Sequence, residues 1–291
     1  MKRSRTHALG QHFLTHPGLL DKIIRVIDPR PDEVILEVGP GRGSLTSLLA
    51  AKCRGVIGVE KDERMVLTVR GRNIPRTTII QGDILQADWA GLLGEAGAEP
   101  GKSKLAGNIP YAISSPLLAK TLEARALFSR SVFLIQKEFA ERTTAAPGSK
   151  KYAPLSILLQ RAFAVKRHFS VSRQAFVPPP RVESAVISLT PRESIQFPVD
   201  DEALLTAFLR AAFGQRRKTL ANNLERLGLP SQDVARVLEE CRLKPKVRAE
   251  EVPLESFIAL FARLNAAFPL GSMIGDGRGR GPDDPSGAHK C

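Results

Sequence analysis

Four consecutive residues, Asn108, Ile109, Pro110 and Tyr111, combine groups that could bind a planar, amine-bearing ring. The Asn108 amide can both accept and donate hydrogen bonds. Pro110 favours an extended Ile109, so the Ile109 carbonyl points in a defined direction. The Tyr111 ring offers a face on which a base can stack. The alternative interpretation is a turn with a partly buried tyrosine, and the residues upstream decide between the two.

A glycine-rich segment upstream predicts a nucleoside site. An apolar stretch leads into Gly39, Gly41 and Gly43, and Ser44 is placed to cap the following helix. Glycine at such a turn lets a nucleoside approach the backbone closely. The spacing, with Glu37 two places before the first glycine, differs from the G-x-G-x-x-G dinucleotide fingerprint. It resembles the first motif of class I methyltransferases, which bind S-adenosylmethionine; the alternative is a turn without a ligand.

Two acidic residues further along the chain suggest how the nucleoside is held. Glu60 ends the second predicted strand, about 20 residues beyond the glycines, where a carboxylate can accept hydrogen bonds from both ribose hydroxyls. Asp83 ends the third predicted strand and can accept from the exocyclic amine of the cofactor's adenine. Each could instead be a solvated carboxylate. Their position after the glycine turn favours a nucleoside site over nicotinamide chemistry.

With such a donor site, residues 108–111 can direct a reaction. The exocyclic amine of adenine is a poor nucleophile because its lone pair is delocalised into the ring. Acceptors at Asn108 and Ile109 that bind its two hydrogens would favour a pyramidal nitrogen, with the lone pair directed at the sulfonium methyl. No strong base is required before attack, because the nitrogen becomes acidic as it acquires positive charge.

From about residue 9 to 262 the chain resembles the KsgA-type 16S rRNA adenine dimethyltransferases. Besides Glu60, Asp83 and the residues 108–111, the segments that carry the resemblance are residues 9–14, 37–43, 136–138, 149–156, 176–186, 213–220 and 248–250. The family pattern commonly has leucine in place of Ile109, asparagine in place of Ala112 and glycine in place of Ala153, and it also allows asparagine in place of His12. The Ala112 difference removes an amide next to the site.

The resemblance implies successive methyl transfer from S-adenosylmethionine to the N6 amines of two adjacent adenosines near the 3′ end of 16S rRNA, and so a role in small-subunit biogenesis. It implies a catalytic set of Asn108, Ile109, Pro110, Tyr111 and Phe176, in which Tyr111 and Phe176 sandwich a flipped adenine. It implies contacts with the cofactor from His12, Leu14, Gly39, Gly41, Glu60, Asp83 and Asn108.

Alternating strands and helices from about residue 8 to 190 predict an α/β domain with a mostly parallel sheet. The resemblance identifies it as the Rossmann-like, seven-stranded fold of class I S-adenosylmethionine-dependent methyltransferases. Helical periodicity dominates from about residue 199. We predict a catalytic domain at residues 1–191, a small all-helical RNA-binding domain at 192–268 and a disordered tail at 269–291.

The net charge of +13 over 291 residues predicts an acidic partner, most simply the phosphates of RNA. Residues 215–218 are predicted to begin a helix with a basic surface. Further basic residues are expected to hold phosphates of 16S rRNA, in the small subunit or an assembly intermediate, rather than to read bases: Lys150, Lys151, Arg161, Lys166, Arg167, Arg173 and Arg181. Each charge run by itself is also compatible with a solvated face.

Three scattered cysteines and five histidines without ligand spacing predict a reducing compartment, no disulfide framework and no metal site. No apolar run reaches the roughly 20 residues that span a bilayer. We therefore expect a cytoplasmic protein, and the sequence offers no grounds for an oligomer, so a monomer is expected.

Two other functions remain open at this stage. One is the related antibiotic-resistance methyltransferase that modifies an adenosine in 23S rRNA and has a similar four-residue motif. The prolines at 178–180 and the basic residues 215–218 favour the small-subunit enzyme over it. The other is a non-catalytic assembly or transcription factor on the same scaffold, against which the intact cofactor residues count.

Overall fold

The computed structural model describes residues 12–274, which divide into two compact units. The first unit comprises the chain up to residue 144 together with residues 162–194. The second comprises residues 145–161 and the chain from residue 195. No helix within residues 12–274 is long and apolar enough to cross a membrane.

Among the described residues, from 12 onward, nine strands lie in the first unit. They are β1 (Phe13–Leu14), β2 (Val34–Val38), β3 (Gly55–Glu60), β4 (Thr77–Gln81), β5 (Ser103–Asn108), β6 (Phe128–Gln136), β7 (Phe163–Val171), β8 (Phe176–Val177) and β9 (Ser184–Pro191). Seven form one sheet in the order β4-β3-β2-β5-β6-β9-β7. Neighbours from β4 to β6 are parallel, and β9 runs antiparallel to both β6 and β7. The predicted mostly parallel, seven-stranded sheet is confirmed.

The central strands are mostly apolar because both of their faces are buried. All five residues of β2 are buried, as are the first five of β5. Such strands read as continuous apolar runs rather than as alternating patterns. Their burial makes the carboxyl ends of β2 to β5 a rigid edge from which loops and side chains project.

Six helices connect these strands. They are α1 (Pro17–Ile27), α2 (Ser44–Ala50), α3 (Glu63–Arg70), α4 (Trp89–Glu95), α5 (Ser114–Glu123) and α6 (Lys137–Thr143). The Asp62 carboxylate caps α3 by accepting from the Arg64 N–H, and Asp88 caps α4 by accepting from Gly91. The predicted capping role of Ser44 was wrong: Gly43, in the left-handed region, holds the cap position, and Ser44 is the first helical residue.

The two remaining strands form a small antiparallel pair that sequence periodicity did not predict. Leu14 pairs with Phe176, and Phe13 pairs with Val177. The second strand of the pair, β8, is the two-residue segment Phe176–Val177. Two residues are too few for a period-two pattern to show. The pairing ties the chain before α1 to the segment that precedes β9.

The second unit is helical. It contains α7 (Pro154–Ala162), α8 (Glu202–Ala212), α9 (Leu220–Glu225), α10 (Ser231–Glu240), α11 (Leu254–Ala267) and α12 (Leu270–Ile274). Residues 215–218 were predicted to begin a helix, but they form a turn. Helix α9 begins at Leu220 because the Thr219 side chain caps it by accepting from the Asn222 N–H.

Residues 145–161 belong to this helical unit, which differs from the predicted boundary at residue 191. The Tyr152 ring packs edge-on against Phe213, with 6.2 Å between centroids, and the Gly148 N–H donates to the Glu250 carbonyl at 2.7 Å. These partners are distant in sequence, so periodicity could not reveal them. Helix α12 falls within the predicted disordered tail, whose residues 275–291 lie outside the described part of the chain.

Arg161 is a structural residue, and its predicted part in holding phosphates was wrong. Its side chain is only 2% exposed. The guanidinium donates to both carboxylate oxygens of Glu202, at 2.7 and 3.0 Å, and to two backbone carbonyls near Phe197. A bidentate pair with further carbonyl acceptors satisfies a buried guanidinium. For the other basic residues, contact with phosphates remains a prediction.

Candidate active site

A cavity of about 550 Å³ opens at the carboxyl ends of β2, β3, β4 and β5. Parallel strands bring these ends to the same edge of the sheet, which is where ligands bind in open α/β folds. Every residue predicted for the site lines this cavity: His12, Leu14, Gly39, Gly41, Glu60, Asp83, Asn108, Ile109, Pro110, Tyr111 and Phe176.

The turn after β2 requires glycine on two grounds. Gly41 has a φ of 58°, in the left-handed region that L side chains rarely adopt. A Cβ at Gly41 would also lie 3.0 Å from the Phe13 ring. A Cβ on Gly39, whose φ is 61°, would lie 3.9 Å from the Glu60 carboxylate. The missing side chain of Gly39 therefore leaves space in front of that carboxylate.

Glu60 is buried at the end of β3, and its carboxylate is held by two backbone donors. The Gly41 N–H donates to one oxygen and the Asp62 N–H to the other, both at 2.9 Å. An ionised carboxylate has about four acceptor positions, so two remain for a ligand. The arrangement suits a pair of vicinal hydroxyls, as the sequence predicted for a ribose.

Glu37 also lines the cavity, although no role was predicted for it. It is 2% exposed, and its Oε2 has no hydrogen-bond partner among the described residues. Burial raises the pKa of the Glu37 carboxyl from 4.5 to about 7, and the charge of Glu60 adds to the shift. The Thr46 hydroxyl acts in the opposite direction and lowers the pKa of Glu37, although it makes no hydrogen bond of normal geometry. The acidic residue before the glycines was the available sequence signal.

Replacing Glu37 with glutamine is expected to stabilise the protein without ligand at pH 8. Between pH 4.5 and about 7 the folded wild type holds a proton that the unfolded chain has lost, so its stability falls as the pH rises. The full penalty, reached above pH 7, is about 3 kcal/mol at about 1.4 kcal/mol per pKa unit. Urea unfolding of both proteins at pH 5 and 8 measures it. If the difference in unfolding free energy between the variant and the wild type were the same at pH 5 and pH 8, the raised pKa of Glu37 would be contradicted.

Asp83 follows β4 at the edge of the cavity. One carboxylate oxygen accepts from the Lys61 ammonium at 2.8 Å, and the other accepts from the Leu85 N–H at 2.9 Å. The hydrogen bond from Lys61 is the main reason that the pKa of Asp83 lies below its usual range. Asp83 is therefore an ionised acceptor, as the prediction required, but an adenine amine would share it with Lys61.

Lys120, on α5, organises the loop that follows Asp83. Its ammonium donates to the carbonyls of Ile84, Leu85 and Ala87, at 3.2, 2.9 and 2.6 Å. It also lies 4.8 Å from the centroid of the Trp89 ring, a cation–π distance. Neither its spacing nor its type distinguished it in the sequence, because its acceptors are backbone atoms more than 30 residues away.

Replacing Lys120 with methionine is expected to lower the free energy of unfolding by about 2 kcal/mol, because three carbonyls lose a charged donor. The loosened loop should also weaken S-adenosylmethionine binding severalfold. Lys61→Met is the matched control: it removes a lysine from the other side of Asp83, but that side chain is 67% exposed, so about 1 kcal/mol or less is expected. Equal losses in the two variants would contradict the role of Lys120.

The amide of Asn108 has a defined orientation. Its Nδ2 donates to the backbone carbonyl of His12 at 2.7 Å. Because a carbonyl can only accept, this contact assigns nitrogen to that side and leaves Oδ1 as the acceptor. The backbone N–H of Ile109 donates to the Leu134 carbonyl at 3.0 Å, which fixes the peptide beside it. The predicted acceptor pair thus sits on a rigid backbone.

Tyr111 begins a short 3₁₀ helix, Tyr111–Ile113, and is half-buried at the cavity wall. Its phenol shares a 2.9 Å hydrogen bond with the Ser184 hydroxyl. The centroids of its ring and of the His12 imidazole lie 6.0 Å apart. Desolvation raises the pKa of the phenol, so it remains neutral. The His12 Nδ1 in turn donates to the Pro178 carbonyl at 2.8 Å.

Phe176 is 2% exposed and packs in a core cluster with Leu14. The same two residues are paired between β8 and β1. It reaches the cavity lining from that cluster. Ala112, the departure from the family pattern, is exposed and also lines the cavity. Pairing of β1 with β8 therefore brings the N-terminal and the Phe176 segments of the predicted site together.

Residues 2–266 match the family model described as ribosomal RNA adenine dimethylase. Among curated proteins, the ribosomal RNA small subunit methyltransferase A of Geobacter metallireducens is 43% identical, covering 87% of this chain and 93% of its own length. The protein of the same name from Myxococcus xanthus is 37% identical, over 91% of this chain and 93% of its own length.

Two solved structures extend the comparison to the fold. A dimethyladenosine transferase from Plasmodium falciparum superposes with a TM-score of 0.75 at 30% identity, covering 88% of this chain and 98% of its own. The 23S rRNA methyltransferase ErmE superposes with a TM-score of 0.66 at 26% identity, over 87% of this chain and 99% of its own. The likeness to the dimethyladenosine transferase is greater on both measures.

Proposed function

The chain belongs to the ribosomal RNA adenine dimethylase family, and we propose that it dimethylates the N6 amines of two adjacent adenosines near the 3′ end of 16S rRNA. The methyl donor is S-adenosylmethionine. The observation that carries the proposal is the orientation of Asn108: its Nδ2 is held by the His12 carbonyl, which leaves Oδ1 as an acceptor on a residue that lines the cavity with Glu60 and the glycine turn. The 16S rRNA would be met in the small subunit or an assembly intermediate, by a cytoplasmic monomer.

The donor site uses acidic groups at the strand ends. Glu60 accepts from the ribose hydroxyls with the acceptor positions that Gly41 and Asp62 leave open. Asp83 accepts from the adenine amine. His12, Leu14 and Gly39 would complete the contacts. When bound, S-adenosylmethionine supplies a methyl group on a positively charged sulfur.

Glu37 is suited to the ammonium of the donor's methionine moiety. A buried carboxyl oxygen without a hydrogen-bond partner, such as Oε2 of Glu37, is costly, and a cationic donor would satisfy it. The ammonium charge would favour the ionised form and so reverse the raised pKa. This supports the fit of a cationic, amine-bearing donor to the cavity independently of the glycine turn.

The acceptor site orients the target amine. The Asn108 Oδ1 and the Ile109 carbonyl each accept one amine hydrogen, which directs the nitrogen lone pair towards the methyl group. Pro110 keeps the Ile109 carbonyl in place, and Tyr111 supplies the stacking face. Phe176 would form the second wall. These residues position the nitrogen and stabilise the charge that develops on it.

The helical second unit is proposed to bind RNA. Residues 215–218 form a basic turn, and the Arg216 guanidinium donates to the Lys150 carbonyl, which places the two basic segments of this unit next to each other. Lys166, Arg167, Arg173 and Arg181 of the first unit would add further phosphate contacts. Such contacts fix register and do not read bases.

The test is to express the chain in a bacterial strain that lacks its 16S dimethyladenosines and to map methylation on both rRNAs by mass spectrometry. Dimethylation of two adjacent 16S adenosines is expected. Modification of 23S rRNA alone would overturn the choice of substrate in favour of the antibiotic-resistance type. Failure to bind labelled S-adenosylmethionine would instead favour a non-catalytic assembly factor.

A further inference from the structure

Ser184 contacts the proposed base-stacking residue from the side of the sheet. It is the first residue of β9 and is 1% exposed. Its backbone is fixed on both sides, because it pairs with Gln136 of β6 and with Val171 of β7. Its hydroxyl shares the 2.9 Å hydrogen bond with the Tyr111 phenol. A rigid strand therefore holds the far end of the Tyr111 ring.

Tyr111 itself lies on a less rigid element. Its 3₁₀ helix is three residues long, and its ring is half-buried beside the cavity. The ring can turn about its own axis, on which the phenol oxygen lies, and it can swing about the Cα–Cβ bond, which moves that oxygen. Within residues 12–274, the phenol makes one hydrogen bond, and its partner is Ser184. It fixes the position of the phenol oxygen and therefore the direction of the ring axis.

We propose that Ser184 is a positioning residue, whose hydroxyl fixes the direction of the Tyr111 ring axis and so places the ring where it can stack on the target adenine. The inference rests on the proposed function, in which Tyr111 is the stacking face. Displacement of a reacting group by about 1 Å is enough to lower the rate strongly. A ring whose axis is free to swing would leave the amine misaligned with Asn108, although the cofactor site would be intact.

A double-mutant cycle tests the proposal. Tyr111→Phe and Ser184→Ala each remove the same hydrogen bond from one side, and each is expected to lower kcat about threefold to tenfold, the size of one neutral hydrogen bond. The double variant should lose no more than the larger single variant, because the bond is already absent. The KM for S-adenosylmethionine should stay within about twofold of wild type, since Tyr111→Phe keeps the ring and neither hydroxyl is among the groups proposed to contact the donor.

Ser188→Ala is the matched control. Ser188 lies on the same strand, is also buried, and shares a 2.9 Å hydrogen bond with the His168 imidazole instead. Its loss should lower stability in urea unfolding to a similar extent and leave kcat unchanged. A kcat that falls equally in Ser188→Ala would assign Ser184 a purely structural role. Additive losses in the cycle, or unchanged kcat in both single variants, would also overturn the inference.

Two further features keep the test decisive. Tyr111→Phe removes the bond from a half-buried side chain, so it reports on the contact even where Ser184→Ala folds poorly. Methylation of 16S rRNA by the wild type is measured in the same assay. An inactive wild type would count against the proposed function, whereas an active wild type with additive variants would count against Ser184 alone.

Discussion

Replacing Asn108 with alanine is expected to lower kcat by about 10²- to 10³-fold, the effect of removing one preorganised polar group from a reacting centre. The variant loses the acceptor that Oδ1 offers to the target amine, and it also loses the donor that holds the His12 carbonyl at 2.7 Å. Single-turnover methylation of 16S rRNA in small subunits measures the chemical step directly. A rate within threefold of wild type would contradict the catalytic role.

Asn108→Asp separates the two contacts of this amide. Aspartate keeps an acceptor of similar size but cannot donate to the His12 carbonyl when ionised. If the acceptor alone carries the effect, the aspartate variant should be more active than the alanine variant. If anchoring of His12 carries it, both variants should be equally slow, and the affinity for S-adenosylmethionine should fall in both.

Replacing Glu60 with alanine is expected to raise the Kd for S-adenosylmethionine by about 100-fold, or roughly 2.7 kcal/mol. Two ribose hydroxyls would lose a charged acceptor, each contributing about 1.5 kcal/mol or more. The N–H groups of Gly41 and Asp62 would also lose their partner, so a lower unfolding free energy is expected. Isothermal titration calorimetry with the donor, without RNA, isolates the binding effect.

Glu60→Gln is the matched variant for this prediction. Its amide keeps one acceptor oxygen but turns the other position into a donor, which opposes one of the two backbone N–H groups. An intermediate loss of affinity is therefore expected. Glu33→Gln is a control at a carboxylate that pairs with Lys104 at 2.8 Å and does not line the cavity. Unchanged affinity in Glu60→Ala would remove this residue from the donor site.

The predicted sheet and the location of the site followed from local patterns. Apolar runs are clearest for central parallel strands such as β2, because these are buried on both faces. Once β2, β3, β4 and β5 were assigned, their carboxyl ends had to share one edge. That rule places Gly39, Glu60, Asp83 and Asn108 around one cavity without any knowledge of distances.

Contacts between distant segments were beyond such patterns. The pairing of Leu14 with Phe176 joins residues 162 positions apart, through strands too short to show a period. Arg161 was misassigned for the same reason: a basic residue in a basic region gives no sign that Glu202 and two carbonyls will enclose it. Burial is decided by which segments pack together, and composition does not specify that.

The sequence by itself predicted which groups lie at the strand ends of the site, namely Gly39, Glu60, Asp83 and Asn108, because residue type and strand order are local properties. Only the tertiary structure decided how these groups are oriented and protonated. The His12 carbonyl orients the Asn108 amide, burial raises the pKa of Glu37, and Ser184 holds Tyr111. Hydrogen-bond direction and desolvation depend on atoms brought together from distant parts of the chain, so they exist only once the chain is folded.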